Sequence, residues 1–434
     1  MAEQLRVGSG AVALGKDTSN LFRDRSHTPR RRLDVSAFCE VLAVDPAAGW
    51  VEAEGMVTYE ALTAACLARG VMPAVVPQLK TITLGGALAG VGIESSSHRY
   101  GLVHDTVLEA DVLLGNGRVV TCRPDNEHAD LFHGFPNSYG TLGYALRVKA
   151  KAVAVKPYVH LQHLGFSNPK EFFSQLEKRL DAGEADFVDG TVFSPDRMFI
   201  TLGRFTGEAP YASDYTYENI YYRSIAARSE DYLSIHDYLW RWDTDWFWCS
   251  KNVFAQNRFF RKFIFGKERL GSRQYTKIMR WNSRVGATRK LERLLGLHSE
   301  SVIQDVDIPL ARAAEFLDFY RQNIALWPQW VCPIGSAAHG ANFTLYPMRH
   351  DWYVNFGFWD VKRTREAHAA GYFNRLIEEK VVELGGIKSL YSDSYFPREE
   401  FERLYGGAAY RSLKAKYDPD GAFPGLYEKC VLKA

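Results

Sequence analysis

Residues Thr81 to Gly101 carry four glycines, Gly85, Gly86, Gly90 and Gly92, within eight positions. Glycine loses more backbone freedom on ordering than any other residue, so this density is costly in a packed helix or strand. What it permits is close approach of backbone N–H groups to an anion, and Ser95, Ser96 and Ser97 add hydroxyl donors. The bland alternative is an inert glycine-rich surface loop. A second loop, Pro136 to Gly143, stands before a strand and again mixes small residues with hydroxyls: Ser138, Tyr139, Gly140, Thr141 and Gly143. By contrast, Gly8-Ser9-Gly10 only imitates the opening of a dinucleotide fingerprint. Ala13 stands where the third glycine belongs, and the polar run Lys16 to Asn20 falls where a helix is required.

The elements that must position these loops follow from periodicity. Val41–Val44 and Trp50–Ala53 flank the turn Asp45 to Gly49, and Thr58 can cap a helix running to Gly70. Val107–Leu114 and Arg118–Cys122 flank Asn116-Gly117, a hairpin signature. From Leu146 to Val153 apolar residues alternate with Arg147, Lys149 and Lys151, as in a strand with one wet face. Beyond Pro157 a strand-helix-strand-strand unit occurs twice. The first has strand Val159–Phe166, a helix from Asn168-Pro169 with Phe172, Phe173, Leu176 and Leu180 as its buried stripe, and strands Phe187–Phe193 and Met198–Phe205. The second has strand Val302–Pro309, helix Ala311–Leu326, and strands near Trp330–Ile334, Phe343–Tyr346 and Trp352–Phe358. A helix at about Arg365–Leu384 ends at Gly385-Gly386, and a tail follows. The pattern predicts an α+β protein whose second sheet is antiparallel and covered by helices.

Composition is globular, with 434 residues, 46% hydrophobic and 24% charged, enough for two domains. Lys and Arg number 53 against 51 Asp and Glu, which gives no reason to expect a nucleic-acid partner. The six cysteines form no C-x-x-C pair, which argues against a disulfide framework or a structural zinc site, and no metal is expected. The start, Met1 to Arg6, lacks an apolar leader, and no run is long enough to span a bilayer. The expectation is a cytoplasmic protein, soluble or peripheral to a membrane.

The run Thr83 to Gly101, with its Gly-Ile-Glu-Ser-Ser-Ser-His core, resembles the FAD loop of the Δ24-sterol reductases, members of the vanillyl-alcohol-oxidase (PCMH-type) flavoprotein family. The likeness continues through Asp130-Leu131-Phe132, Gly140 to Gly143, Gln304-Asp305, Trp327 to Pro333, Leu390 to Phe401 and Ala422 to Pro424, and fades in residues 207–300. The resemblance implies a two-domain fold: an FAD-binding domain at 1–156, a substrate-binding cap at 157–385 with an insertion at about 207–300, and a tail, 386–434, that returns to the first domain. It implies FAD contacts from Thr83, Leu84, Gly85, Gly86, Gly90, Gly92, Ile93, Glu94 and Ser95, with Ser96, His98, Tyr100 and Gly101 beside them. Gly140, Thr141 and Gly143 of the second loop join them, and Lys16, Thr18, Ser19 and Asn20 form the far side of the pyrophosphate site. The first loop offers no His or Cys to tether the flavin, and His98 reads as a hydrogen-bonding loop residue, so FAD is expected to be non-covalent.

Flavin chemistry at a carbon–carbon double bond needs hydride passage at N5 and a proton donor on the opposite face of the bond. Tyr391, Asp393 and Tyr395 alternate, so an extended segment projects all three to one side. A tyrosine there can be the general acid, with Lys388 or Asp393 tuning its pKa. The other reading has the tyrosines packing a core and the aspartate capping the helix near Pro397. Glu94 is a second catalytic candidate, or a ligand for the ribose. Gln304, Trp330 and Cys332 sit on strands of the substrate sheet and can line its pocket, although Cys332 also reads as a small buried hydrophobe.

Between Lys251 and Lys290 lie twelve basic residues and one acid, Glu268. Trp240, Trp242, Trp246, Phe247 and Trp248 precede them, and Phe254, Phe259, Phe260, Phe263 and Phe265 are interleaved with them. Aromatics among cations suit a membrane interface with anionic lipid, and a solvated charged face is the alternative. The whole reads as an FAD-dependent oxidoreductase acting, by reduction or desaturation, on a C=C bond of a sterol side chain or fatty acyl chain, with NADPH as one candidate electron donor. The rival readings are an alcohol or sugar oxidase using oxygen and a lipid-binding protein with a vestigial flavin site.

Overall fold

The computed structural model describes residues 5, 12–15, 22, 31–285, 296–335 and 343–433. Lys16, Thr18, Ser19, Asn20 and the run Gly8 to Gly10 lie outside the described residues.

Two short strands, β1 (Val12–Gly15) and β2 (Arg31–Asp34), pair in parallel. The first large sheet follows, built from β3 (Val41–Asp45), β4 (Trp50–Glu54), β5 (Val71–Pro73), β6 (Val107–Leu113), β7 (Val119–Cys122) and β8 (Tyr144–Ala154). Its order is β3-β4-β8-β6-β7, with β5 also pairing β8, and every pairing is antiparallel. The central β8 turns Val148, Ala150 and Ala152 into the core. On its other face Arg147 gathers Asp111 at 2.6 Å and Glu52 at 2.9 Å, so the cation is matched by carboxylates of neighbouring strands.

The second sheet comprises β9 (Tyr158–Phe166), β10 (Phe187–Ser194), β11 (Arg197–Thr206), β12 (Glu230–Ser234), β13 (His298–Pro309), β14 (Gln329–Gly335), β15 (Trp352–Thr364) and β16 (Ile387–Lys388). It runs β12-β9-β11-β10-β14-β15-β13-β16, antiparallel throughout. The helices Pro169–Ala182, Ala313–Asn323 and Tyr372–Glu383 cover one face. The first starts where expected, because the Asn168 side chain accepts from the N–H groups of Lys170 and Glu171, and it buries the expected stripe of Phe172, Phe173, Leu176 and Leu180. Strand alternation sends Val302, Gln304, Val306 and Ile308 of β13, with Val354, Phe356 and Phe358 of β15, toward these helices. The opposite face carries Asp305, Asp307, Trp330, Tyr353 and Trp359, and it shares one continuous core with the first sheet.

Four expectations are corrected. Phe343–Tyr346 is a turn, closed by Tyr346 N–H to Phe343 O, and its Thr344 N–H goes to His133 O instead of a strand partner. The helix expected from Arg365 begins only at Tyr372, because Gly371 adopts φ 73°, outside the right-handed helical region. The span 207–300 is not wholly an insertion, since β12 within it forms an edge of the sheet on β9. Trp240, Trp242, Trp246, Phe247 and Trp248 are all buried in the shared core, so they are not interfacial rings. Beyond β16 the tail packs against the first sheet: Tyr417 donates to Asp130 at 2.6 Å, Lys414 to Thr141 O at 2.7 Å, and the Phe423 ring lies 5.0 Å from that of Tyr144.

Candidate functional site

A cavity of about 420 Å³ opens between the glycine-rich stretch and the helix-free face of the second sheet. One wall is backbone and small side chains from residues 81–93 together with Tyr139, Gly140 and Gly143. The other is Phe247, Asp305, Trp330, Trp359 and Tyr391. A narrow space with one polar backbone wall and one aromatic wall suits a planar ligand carrying an anionic extension.

The local fold explains the backbone wall. Thr83 caps the short helix Leu84–Ala89 by accepting from Gly86 N–H at 3.2 Å. Leu84 N–H binds Val57 O and Gly85 N–H binds Gly55 O, both at 2.9 Å, so the donors of this first turn are consumed inside the protein. The glycines serve chain-to-chain contact: a Cβ on Gly85 would lie 2.9 Å from Gly55 O, and one on Gly92 would lie 2.6 Å from a Val103 methyl. This corrects the expectation that the first glycines present their own amides to an anion. The donors sit one turn later. Among the described residues nothing takes the N–H groups of Val91, Gly92 and Ile93, three consecutive amides that all border the cavity. Successive free amides are the kind of donor set that can form an anion-binding concavity.

Of the residues expected to touch the cofactor, Thr83, Gly85, Gly86, Gly90, Gly92, Ile93, Gly140 and Gly143 line the cavity. Leu84, Glu94, Ser95, Ser96, His98, Tyr100, Gly101 and Thr141 are not among its lining residues. Ser96 Oγ donates to Ala74 O at 2.7 Å, Thr141 Oγ1 to Ser138 O at 2.8 Å, and the Tyr100 ring lies under Lys151 at 5.2 Å. Gly101 has φ 72° and ends the turn that follows. The ring nitrogens of His98 lie 2.9 Å from Ser95 O and 3.2 Å from Ala185 O, which places the ring between the loop and the segment leading into β10, and burial holds its pKa below the usual value. No His or Cys lines the cavity among the described residues.

Glu94 instead anchors an ionic cluster. Arg241 is 0% exposed and reaches Glu94, 1% exposed, at 2.9 Å and Asp189, also 1% exposed, at 2.8 Å. Ser95 Oγ donates to Glu94 at 2.6 Å, Trp330 Nε1 donates to Asp189 at 3.2 Å, and the guanidinium lies 4.0 Å from the Tyr238 ring centre. Burial raises the pKa of both acids, and Arg241 pulls both back down. The cluster therefore joins the residue after Ile93 to the indole of the opposite wall.

At the tail end the alternation holds in part. Tyr391 lines the cavity and accepts a hydrogen bond from Trp359 Nε1 at 2.9 Å. Tyr395 packs on Gly371 and beneath Arg375, and Asp393 pairs with Lys433 at 3.4 Å, so neither lies on the cavity wall. Lys388, paired in register with Val306, lies on the helix-covered face, where it is fully buried against Glu378 at 2.7 Å, away from the Tyr391 hydroxyl. Of the expected substrate contacts, Trp330 lines the cavity. Gln304 faces the helices and bonds Asn374, while the Cys332 thiol donates to Glu94 O at 3.2 Å beneath the loop.

Asp305, next to Gln304, is the acid on the cavity wall. Burial raises its pKa, the Tyr391 hydrogen bond lowers it and Asp307 raises it again, to about 8. Burial likewise lifts the Tyr391 phenol far above its ordinary value. Trp359 and Phe247 were also absent from the expected wall. A signal for Asp305 stands in the sequence: Asp305 and Asp307 share one face of a strand whose other face, from Val302 to Ile308, is apolar apart from Gln304.

Residues 10–123 match the family model described as FAD binding domain. The chain is 28% identical over 402 residues to the "Delta(24)-sterol reductase" of Homo sapiens, covering 90% of this chain and 76% of that protein. It is 25% identical over 445 residues to the Pisum sativum protein of that name, covering 92% and 76%. Over 167 residues it is 30% identical to "Cytokinin dehydrogenase 7" of Oryza sativa subsp. japonica, covering 38% of this chain and 30% of that one. The first sheet thus lies mostly within an FAD-binding domain, and the chain is a flavoprotein related along nine-tenths of its length to the Delta(24)-sterol reductases.

Proposed function

We propose that this FAD-dependent oxidoreductase reduces a carbon–carbon double bond in the side chain of a sterol. The observation that carries the reading is the pairing, in one cavity, of unused backbone amides at Val91 to Ile93 with an aromatic wall that holds Asp305 and Tyr391. Bound FAD would supply the hydride equivalent, after reduction by a donor such as NADPH. The chain's own residues do the rest. The amides of 91–93, with Gly140 and Gly143, hold the phosphates, and the cofactor is read as non-covalent because residues 16–20 contain no His or Cys. Trp330, Trp359 and Phe247 exclude water and press an apolar substrate flat, and Tyr391, held by Trp359 Nε1 at 2.9 Å, presents a phenol on the wall that also carries Asp305.

The test is anaerobic. Purified protein loaded with FAD and bleached by NADPH or dithionite should regain its colour on addition of a Δ24-unsaturated sterol, with the saturated product formed. An unchanged reduced spectrum, with oxygen as the only effective oxidant, would remove the reading in favour of an oxidase.

Delivery of such a substrate needs a lipid surface. Phe254 (68% exposed), Phe263 (66%), Phe259, Phe260 and Ile264 form an apolar patch among exposed Arg258, Lys262 and Lys267. Rings Phe259 and Phe263 lie 5.1 Å apart, so the patch is contiguous. No helix among the described residues is long and apolar enough to cross a membrane. The reading is peripheral contact with anionic lipid through this patch, each cation contributing about 1 kcal/mol near the surface. The six cysteines, which form no C-x-x-C pair, are read as those of a cytoplasmic protein. Arg261, one of the twelve cations, is excluded from the patch because it is buried against Asp245 at 2.7 Å.

A further inference from the structure

We infer that Asp245 and Arg261 are positioning residues for the cavity: their buried ion pair holds Trp246 and Phe247 in the conformation that makes these two aromatics part of its wall. Neither Asp245 nor Arg261 lines the cavity, so both act through the rings. Only the identity of what fills the cavity rests on the C=C reductase reading. The segment 249–275, where the likeness to the sterol reductases fades, thereby braces one corner of the active site from behind.

The backbone of this corner is unusual. Trp246 and Phe247 both border the cavity, and both lie in the left-handed region, with φ 42° and 57°. They are the one pair of neighbouring non-glycine residues in that region among the described residues. The conformation pushes a Cβ toward the following carbonyl oxygen, so bulky residues seldom adopt it. It persists where the surroundings over-determine it, and it gathers at sites that must keep a fixed shape. Trp246 N–H donates to Asp243 O at 3.0 Å and Phe247 N–H to Trp242 O at 2.9 Å. The Phe247 ring then stacks 4.7 Å from that of Trp242 and lies 4.3 Å from Trp359, with Trp330 at 5.5 Å.

Asp245, directly before the corner, is where the chain is pinned. Its Oδ1 accepts from Ser250 Oγ at 2.7 Å and from Arg261 Nη1 at 2.7 Å, and its Oδ2 accepts from Arg261 Nη2 at 3.0 Å. The two side chains are only 4% and 5% exposed. A guanidinium fork meeting a carboxylate fixes direction as well as distance, which the point charge of a lysine does not. The other Arg261 donors are used too: Nη1 also reaches Ala255 O at 3.1 Å, and Nε donates to Tyr217 O. Desolvation offsets much of the Coulomb gain of such a pair, so what it chiefly supplies here is one defined geometry.

Contacts on either side complete the brace. Ahead of Asp245, Ser272 Oγ donates to Asp243 and the Tyr275 hydroxyl donates to Thr244 O at 2.9 Å. After the corner, Cys249 N–H returns to Trp246 O at 3.0 Å and Ser250 N–H to Asp245 O at 3.2 Å. Arg261 is itself the buried member of a run whose neighbours Phe259, Phe260 and Phe263 are exposed. One short stretch therefore shows rings to solvent on its outside and grips the cavity wall from its inside.

The experiment uses the full FAD-loaded chain and two variants. D245N/R261M removes both charges together and strands neither, while R261K keeps the charge and loses the fork. The near-ultraviolet circular dichroism of the packed Trp242, Phe247, Trp248 and Trp359 rings should change in the double variant, with far-ultraviolet spectrum and FAD content as in wild type. With a Δ24-unsaturated sterol as oxidant of the reduced flavin, its KM should rise about tenfold while the saturated reoxidation rate stays within about threefold. R261K should fall between wild type and the double variant in both readings. A double variant that melts earlier yet keeps the wild-type circular dichroism below its transition, and the wild-type KM, shows a pair that only stabilises the chain and overturns the inference. Should the double variant fail to fold, wild-type values for R261K in both assays overturn it instead. Should no unsaturated sterol reoxidise the wild type, the reductase reading falls, and the circular dichroism alone decides whether the pair sets the wall.

Discussion

Replacing Arg241 by Met tests how the loop and the opposite wall are held together. Met nearly matches the buried volume and removes the charge, leaving Glu94 and Asp189 facing each other without a cation. Breaking a buried pair from one side costs about 3–5 kcal/mol, because the remaining charge is left uncompensated. At about 4 kcal/mol the folding equilibrium shifts by roughly 10³. The loss should depend on pH with a definite sign. Burial already raises both acids, and Arg241 is the first of the groups that lower them. Without it their folded pKa values rise further above the unfolded ones. Stability is then retained near the unfolded values, about pH 4, and falls as pH climbs toward 8, where the native state must either ionise buried acids or hold protons the unfolded chain has released. Urea midpoints followed by tryptophan fluorescence at pH 5 and pH 8, with FAD retention on a desalting column, measure both effects. The triple variant E94Q/D189N/R241M removes the stranded charges and should recover much of the stability. R241M within about 1 kcal/mol of wild type at pH 8, with no dependence on pH and no rescue, would refute the reasoning.

Lys388→Met should cost about 3–5 kcal/mol in a denaturation assay, since Glu378 would be left buried alone, yet flavin reoxidation at pH 7 should stay within about twofold of wild type because Lys388 does not face Tyr391. Gly85→Ala should destabilise the protein by about 1–3 kcal/mol and weaken FAD binding in an equilibrium titration, because the added methyl meets backbone oxygens of Gly55 and Ala145, which cannot step aside. F259S/F263S should leave the melting temperature unchanged, as both rings are exposed, and should abolish co-sedimentation with phosphatidylserine vesicles. Equal binding of wild type to neutral and anionic vesicles, or to neither, defeats the membrane reading.

Much of the scaffold was legible because local rules sufficed. Asn168 announces its helix through a side chain that caps it, and Arg147, Lys149 and Lys151 alternate with a buried row just as a half-wet strand requires. The cavity wall was read one residue out of step. Gln304 drew attention as a polar residue in a strand, but parity sends it to the helices and sends Asp305 to the flavin side, and a single-residue slip exchanges faces completely. The tryptophans from 240 to 248 show a different limit: composition identifies rings beside cations but does not say which rings the fold will bury. The Arg241 cluster was out of reach, because Glu94 lies 147 residues and Asp189 52 residues away along the chain. Nothing local couples them.

The two-faced construction of β13 and β15 has an evolutionary corollary. Odd-numbered positions 305 and 359 meet whatever occupies the cavity, whereas their even-numbered neighbours knit the sheet to its helices. Libraries confined to these two positions should therefore retune substrate preference with less effect on the helix-covered core. Natural descendants of this scaffold had the same freedom to diversify chemistry without rebuilding the framework beneath it.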